Sequence, residues 1–138
     1  MRRRCCRSRF ANRECRMYRA AMDASVTRRL TDDLEIRLIT APFFLATKLE
    51  AFQGRGQRDF FASQDLEDVI TVVDGRASLV TEIRAASVEL RAYIRDKTGS
   101  LLAAPEFLDA LPGYLLPDAA SQARISTVLG RLEALALL

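Results

Sequence analysis

The chain has 138 residues, close to the usual size of one domain, and 49% of them are apolar with only six Gly and four Pro, a composition that supports one sizeable core and excludes two. It holds no histidine, which removes histidine general bases, Ser-His and Cys-His nucleophile pairs and every histidine-ligated metal site. The longest apolar run, Ala41-Pro42-Phe43-Phe44-Leu45-Ala46, is far short of the roughly 20 residues that cross a bilayer. The arginine-rich start lacks the apolar stretch of a signal peptide, so no membrane partner and a cytoplasmic location are expected.

The net charge of +3 hides a split: residues 1–30 hold ten arginines against Glu14 and Asp23, whereas residues 31–138 hold eleven Lys or Arg against sixteen acids. The chain is therefore expected to divide into a basic, poorly ordered or non-native segment, 1–30, and a single α-rich domain, 31–138. A basic tail on an acidic domain is a candidate nucleic-acid arm, because each phosphate contact releases counterions. Two plainer readings stand beside it. Nineteen of the 21 basic residues are arginine throughout, which points to general arginine usage, and Met17 or Met22 could be later starts. Cys5, Cys6 and Cys15 lie in this segment, too few for a four-thiolate zinc site. They read as reduced and incidental. Any chemistry then rests on carboxylates, Lys48 and Lys97, arginines, hydroxyls and a hard metal ion they hold.

The first regular element is a strand at 34–39, where Leu34, Ile36 and Leu38 alternate with Glu35 and Arg37. No second alternating run stands out. Since even a two-stranded hairpin is marginal in water, its partner is expected in another molecule or in a part of the protein outside this chain, a sign of truncation. The exposed edge makes self-association into a homo-oligomer an expectation.

Helices follow. Thr40 as cap and Pro42 in the first turn predict a helix to about Phe52, ended by Gly54 and Gly56. Ser63 caps the next, with Asp65, Glu67 and Asp68 in its first turns and Gly75 after it. Further helices are expected at 77–85, 88–97 and 105–111, with Ser87 and Pro105 as start signals and Pro112-Gly113 as a turn. The last begins near Pro117-Asp118 and carries Ile125, Val128, Leu129, Leu132 and Leu135 on one face. The fold class is mainly α with one or few N-terminal strands, an α+β arrangement.

Two charges fall on the wrong side of these helices. Wound at about 100° per residue, Lys48 lies within the arc of Phe44, Leu45, Leu49 and Phe52, while Thr47 and Glu50 point away. Asp65 falls between Val72 and Val69 on the apolar side of its helix, with Asp68 at the edge and Glu67 opposite. One joint reading is a cleft where Lys48 and Asp65 meet a charged ligand, with Arg55 and Arg58 on the intervening loop holding phosphate oxygens. The rival readings are local: Lys48 snorkels to water, Asp65 serves the helix dipole, or the two form a structural ion pair.

The run Pro42-Phe43-Phe44-Leu45-Ala46-Thr47-Lys48-Leu49-Glu50-Ala51, followed by Gly54-Arg55-Gly56, Arg58-Asp59 and Asp65-Leu66-Glu67-Asp68, resembles the second half of the AbiEii/AbiGii-type nucleotidyltransferases, most closely the small bacterial members of that superfamily. The likeness covers roughly residues 34–137. It implies that Lys48 contacts the phosphates of a nucleoside triphosphate, to which the loop reading adds Arg55 and Arg58, that Asp65 has the catalytic position, and that Asp59 and Asp68 support it. Arg58-Asp59 is similar to the family's R-D pair, although Phe60 to Asp65 replace a shorter spacing. The family also carries a Gly-Ser turn and an Asp-x-Asp strand whose carboxylates hold Mg²⁺. Residues 1–33 contain neither: Asp32 and Asp33 are adjacent, with no Gly-Ser ahead of them. Mg²⁺ is thus expected for the parent family and not for this chain. The resemblance implies a nucleotidyltransferase-like protein that is inactive in transfer by itself. The alternative, from a different class, is a non-catalytic helical module that binds nucleic acid or protein.

Overall fold

A computed structural model describes residues 16–54 and 59–138. The chain is mostly helical, with one antiparallel hairpin near its start. In order it forms α1 (Arg16–Asp23), β1 (Val26–Thr31), β2 (Leu34–Leu38), α2 (Ala41–Gly54), α3 (Gln64–Gly75), α4 (Leu79–Arg84), α5 (Val88–Leu102), α6 (Pro105–Ala110), a 3-10 turn (Leu111–Tyr114), α7 (Ala119–Ala123) and α8 (Ile125–Ala136).

The hairpin corrects the expectation of a strand without a partner in this chain. Val26 pairs with Leu38, Thr27 with Arg37, Arg28 with Ile36 and Arg29 with Glu35, and Asp32-Asp33 make the turn between the strands. The register is broken between Arg29 and Thr31, and that bulge hides β1 in the sequence by spoiling its alternation. The sign of truncation drawn from a lone strand therefore fails. Order also begins ahead of residue 31, because residues 16–30, expected to be poorly ordered, form α1 and most of β1. Arg29 bridges to Glu35 across the strands at 3.2 Å, and Arg37 donates to the Met22 carbonyl at 2.7 Å, tying the hairpin to the end of α1.

The helices owe their starts to local chemistry. Ser63 Oγ accepts from Leu66 N–H, Ser87 Oγ from Leu90 N–H, and the Asp118 carboxylate from Ser121 N–H, each satisfying a donor that a helix start leaves open. The predicted final helix is divided at Arg124, whose backbone N–H closes a tight turn onto Ser121 and Gln122. At this position the Arg124 guanidinium reaches both oxygens of Asp74 on α3 at 3.1 Å.

Helix α2 is the axis of the bundle, packed by α1, α3, α4 and α5, while α8 closes over α3, α4 and α5. It buries Pro42, Leu45, Ala46, Leu49 and Phe52. Around them pack Leu66, Val69, Ile70 and Val73 of α3, Leu79 and Ile83 of α4, Leu90 and Ile94 of α5, and Val128, Leu132 and Leu135 of α8. Each fully buried Leu or Ile contributes about 1.5–3 kcal/mol, so this single core orients α2 and α3 toward each other. Phe60, ahead of α3, joins it through ring contacts with Phe52 and Phe107 at 5.4 and 6.4 Å. Among the described residues, no helix is long and apolar enough to cross a membrane.

Candidate functional site

Lys48 on α2 and Asp65 on α3 are brought together as their helical positions predict. The Lys48 ammonium lies 3.3 Å from Asp65 Oδ1 and 2.6 Å from Asp68 Oδ2. Asp65 is buried, its side chain only 6% exposed, whereas Asp68 is 35% and Lys48 27% exposed. The burial of Asp65 follows from its place in the first turn of α3, where the Ser63 cap fixes the helix start and Leu66 and Val69 pack inward beside it. The helix dipole favours an acid there. The Lys48 stem passes the Phe44 ring, with the ammonium 5.7 Å from its centroid.

Beside this triad is a hollow of about 320 Å³ lined by Tyr18, Thr47, Lys48, Glu50, Ala51, Gly54 and Asp65. Tyr18 comes from α1, an element the sequence did not reveal, and Thr47 and Glu50 were read as pointing away. Thr47 donates its hydroxyl to the Phe44 carbonyl at 2.8 Å. The acids around Lys48 therefore outnumber it, with Asp65 and Asp68 bonded to it and Glu50 on the wall.

That balance sets the chemistry. The hydrogen bond that Lys48 donates to Asp68 raises the Lys48 pKa against the opposing effect of burial, with Asp65 adding in the same direction. Lys48 is a fixed cation at neutral pH, already held by two carboxylates and unsuited to act as a base or an amine nucleophile. The donor set is a poor fit for Mg²⁺. Asp65 and Asp68 both face an ammonium that repels a dication, and the described residues contain no cluster of three potential ligands.

The remaining predicted residues part from the triad. Asp59 is exposed, and its carboxylate accepts from the N–H groups of Phe61 and Ala62 at 3.0 and 3.1 Å; it shapes its own loop. Arg55 and Arg58 lie outside the described residues, as does the first half of the basic segment, 1–15. Within the described part, Arg16, Arg19, Arg28, Arg29 and Arg37 are offset by Asp23, Asp32, Asp33 and Glu35, so α1 and the hairpin present no marked excess of positive charge.

Sequence reasoning missed a residue that positions the site from a distance. The Tyr114 hydroxyl donates to the Phe60 carbonyl at 2.6 Å and accepts from Ser63 N–H at 3.3 Å. It pins the segment that delivers the α3 cap, and through that cap the direction of Asp65. No signal in the sequence marks a tyrosine in a tight turn for this task. Compared with models of known families, with curated proteins and with solved structures, the chain matches none.

Proposed function

We propose that the protein is nucleotidyltransferase-like and binds the phosphates of a nucleoside triphosphate at Lys48. The observation that carries this reading is an ammonium held by a buried and a half-buried carboxylate at the edge of a hollow. The two acids have different parts. Asp65, buried, fixes where the ammonium sits, while Asp68 is exchangeable, because exposed ion pairs are worth about 0–1 kcal/mol and an incoming phosphate oxygen replaces one at small cost. The resemblance of residues 42–51 to the nucleotidyltransferase lysine helix supports the same assignment. In such a reaction a hydroxyl attacks the α-phosphorus and pyrophosphate leaves. The described residues of this chain supply binding and orientation of the phosphates.

Asp65 and Glu50 repel a polyanion, so binding is weak. Calorimetric titration with a nucleoside triphosphate is expected to give a small heat that Lys48→Ala removes and Asp68→Asn increases, since the asparagine no longer competes as an anion. Equal heats in all three chains would show that the triad is an ion pair of the scaffold alone. The second reading, a helical interaction module, is favoured by the exposed apolar side chains of the hairpin. Nucleic-acid binding by the full chain that falls steeply with added salt, with no response to nucleotide, would favour it.

A further inference from the structure

Strand β2 reads Leu34-Glu35-Ile36-Arg37-Leu38, which is self-complementary about Ile36. Reversed and laid antiparallel against itself, it sets Leu34 opposite Leu38, Ile36 opposite Ile36 and Glu35 opposite Arg37. We infer that the outer edge of β2 pairs with β2 of a second copy of this chain, joining two hairpins into a four-stranded sheet around a two-fold axis. Among the described residues β1 is the one strand hydrogen-bonded to β2, on one of its two edges. Two strands alone are marginal, and a third or fourth strand stabilises the sheet.

The exposed side chains agree. Leu34 and Leu38 are 49% and 46% exposed, and Val26, opposite Leu38 on β1, is 47% exposed. These residues and Ile36 share one face of the hairpin, and the pairing doubles that face into a continuous apolar row. Charge selects the edge. Self-pairing of β1 about Arg28 or about Arg29 would set that arginine against its own copy, two like charges, whereas β2 sets Glu35 beside an arginine on each side, Arg29 of its own chain and Arg37 of the second copy. Opposite charges across strands stabilise and like charges destabilise. The interface is isologous, so it closes at two.

Sedimentation and light scattering of the full chain over a wide concentration range are expected to give twice the mass of one chain at the upper end. Arg37→Glu places two Glu–Glu pairs in the interface and is expected to raise the dimer dissociation constant by about tenfold or more. Arg29→Glu/Glu35→Arg/Arg37→Glu reverses the three charges of these pairs and keeps the cross-strand pair within the hairpin; like Arg37→Glu it lacks the Arg37 bond to the Met22 carbonyl, so the expected recovery of the dimer assigns the loss in Arg37→Glu to the interface charges. Circular dichroism establishes that each variant is folded. In a chain with Cys5, Cys6 and Cys15 replaced by Ser, oxidation of Ile36→Cys is expected to give a covalent dimer, because directly opposed strand residues lie within disulfide reach; Val26→Cys is expected to give none. A monomer at every concentration, a dimer indifferent to Arg37→Glu, an open-ended series of larger species, or no crosslink at Ile36→Cys would each overturn the inference.

Discussion

Asp68 Oδ2 lies 2.6 Å from Lys48 Nζ, closer than the 3.3 Å of the buried Asp65, although Asp68 belongs to the edge of its helix and not to its apolar side. The flexible four-carbon stem of lysine explains this, since an ammonium can bond an inward acid and still lean toward a second one near water. The shorter bond is not the more consequential. Asp68→Asn is expected to lower stability by less than about 1 kcal/mol, as for other half-exposed pairs. Lys48→Met, which keeps the packing of the stem but withdraws a charged hydrogen-bond partner from buried Asp65, is expected to lower it by about 1–2 kcal/mol. Urea unfolding of the two variants checks the order; a more stable Lys48→Met chain would reverse it.

The link from Tyr114 to the site gives a second test. Tyr114→Phe keeps the ring and deletes the hydroxyl that bonds the Phe60 carbonyl and the Ser63 N–H. Loss of about 1–2 kcal/mol is expected from two such bonds, together with faster hydrogen exchange at the Ser63 amide than at the amides of α8. Unchanged exchange at Ser63 would show that the α3 cap alone holds this segment.

A third test concerns the far end of α3. Arg131 on α8 donates to the carbonyls of Val73 and Asp74 at 2.7 and 2.6 Å. A helix leaves its last carbonyls without internal donors, and a cation there also suits the helix dipole. Arg131→Met is expected to cost about 1–2 kcal/mol. Arg131→Lys, which keeps the charge but lacks the planar fork, is expected to recover only part of this in thermal or urea unfolding.

These contacts show which features a sequence can carry. The Ser63, Ser87 and Asp118 caps were legible because their side chains act within three residues. Lys48 and Asp65 were legible because helical periodicity turns them toward apolar neighbours. Strand β1 was not, since Arg28 and Arg29 adjoin and the bulge before Thr31 shifts the alternation. The break between α7 and α8 was not, and Arg124 at that break meets Asp74 fifty residues earlier in the chain, a contact that no local pattern encodes. Tyr18 and Tyr114 reach the site or its support only through tertiary packing, which no local pattern encodes. Asp59, expected as a supporting residue, accepts from the N–H groups of Phe61 and Ala62, and this turn-forming part of an aspartate is equally compatible with the local sequence.

The absence of histidine and the shifted groups together shape the pH dependence. No side chain type in the folded domain ordinarily changes charge between about pH 5 and 8, so stability is expected to be level across neutral pH. On the alkaline side three shifts act together. Burial, with a contribution from Glu50, pushes the Tyr93 phenol up to about 12. Burial likewise raises Tyr114, and Asp68 with Asp65 raises Lys48. In each case the unfolded chain releases its proton first, near its ordinary value of about 10 to 10.5. The folded state therefore holds more protons above that pH, and stability falls as pH rises, with the Tyr93 contribution lost progressively toward about 12. Urea midpoints measured from neutral to strongly alkaline pH are expected to be flat and then to decline above about pH 10. Tyr93→Phe, which cannot ionise, is expected to make that decline shallower while leaving the neutral plateau level. An equally steep alkaline decline in Tyr93→Phe would locate the responsible group elsewhere.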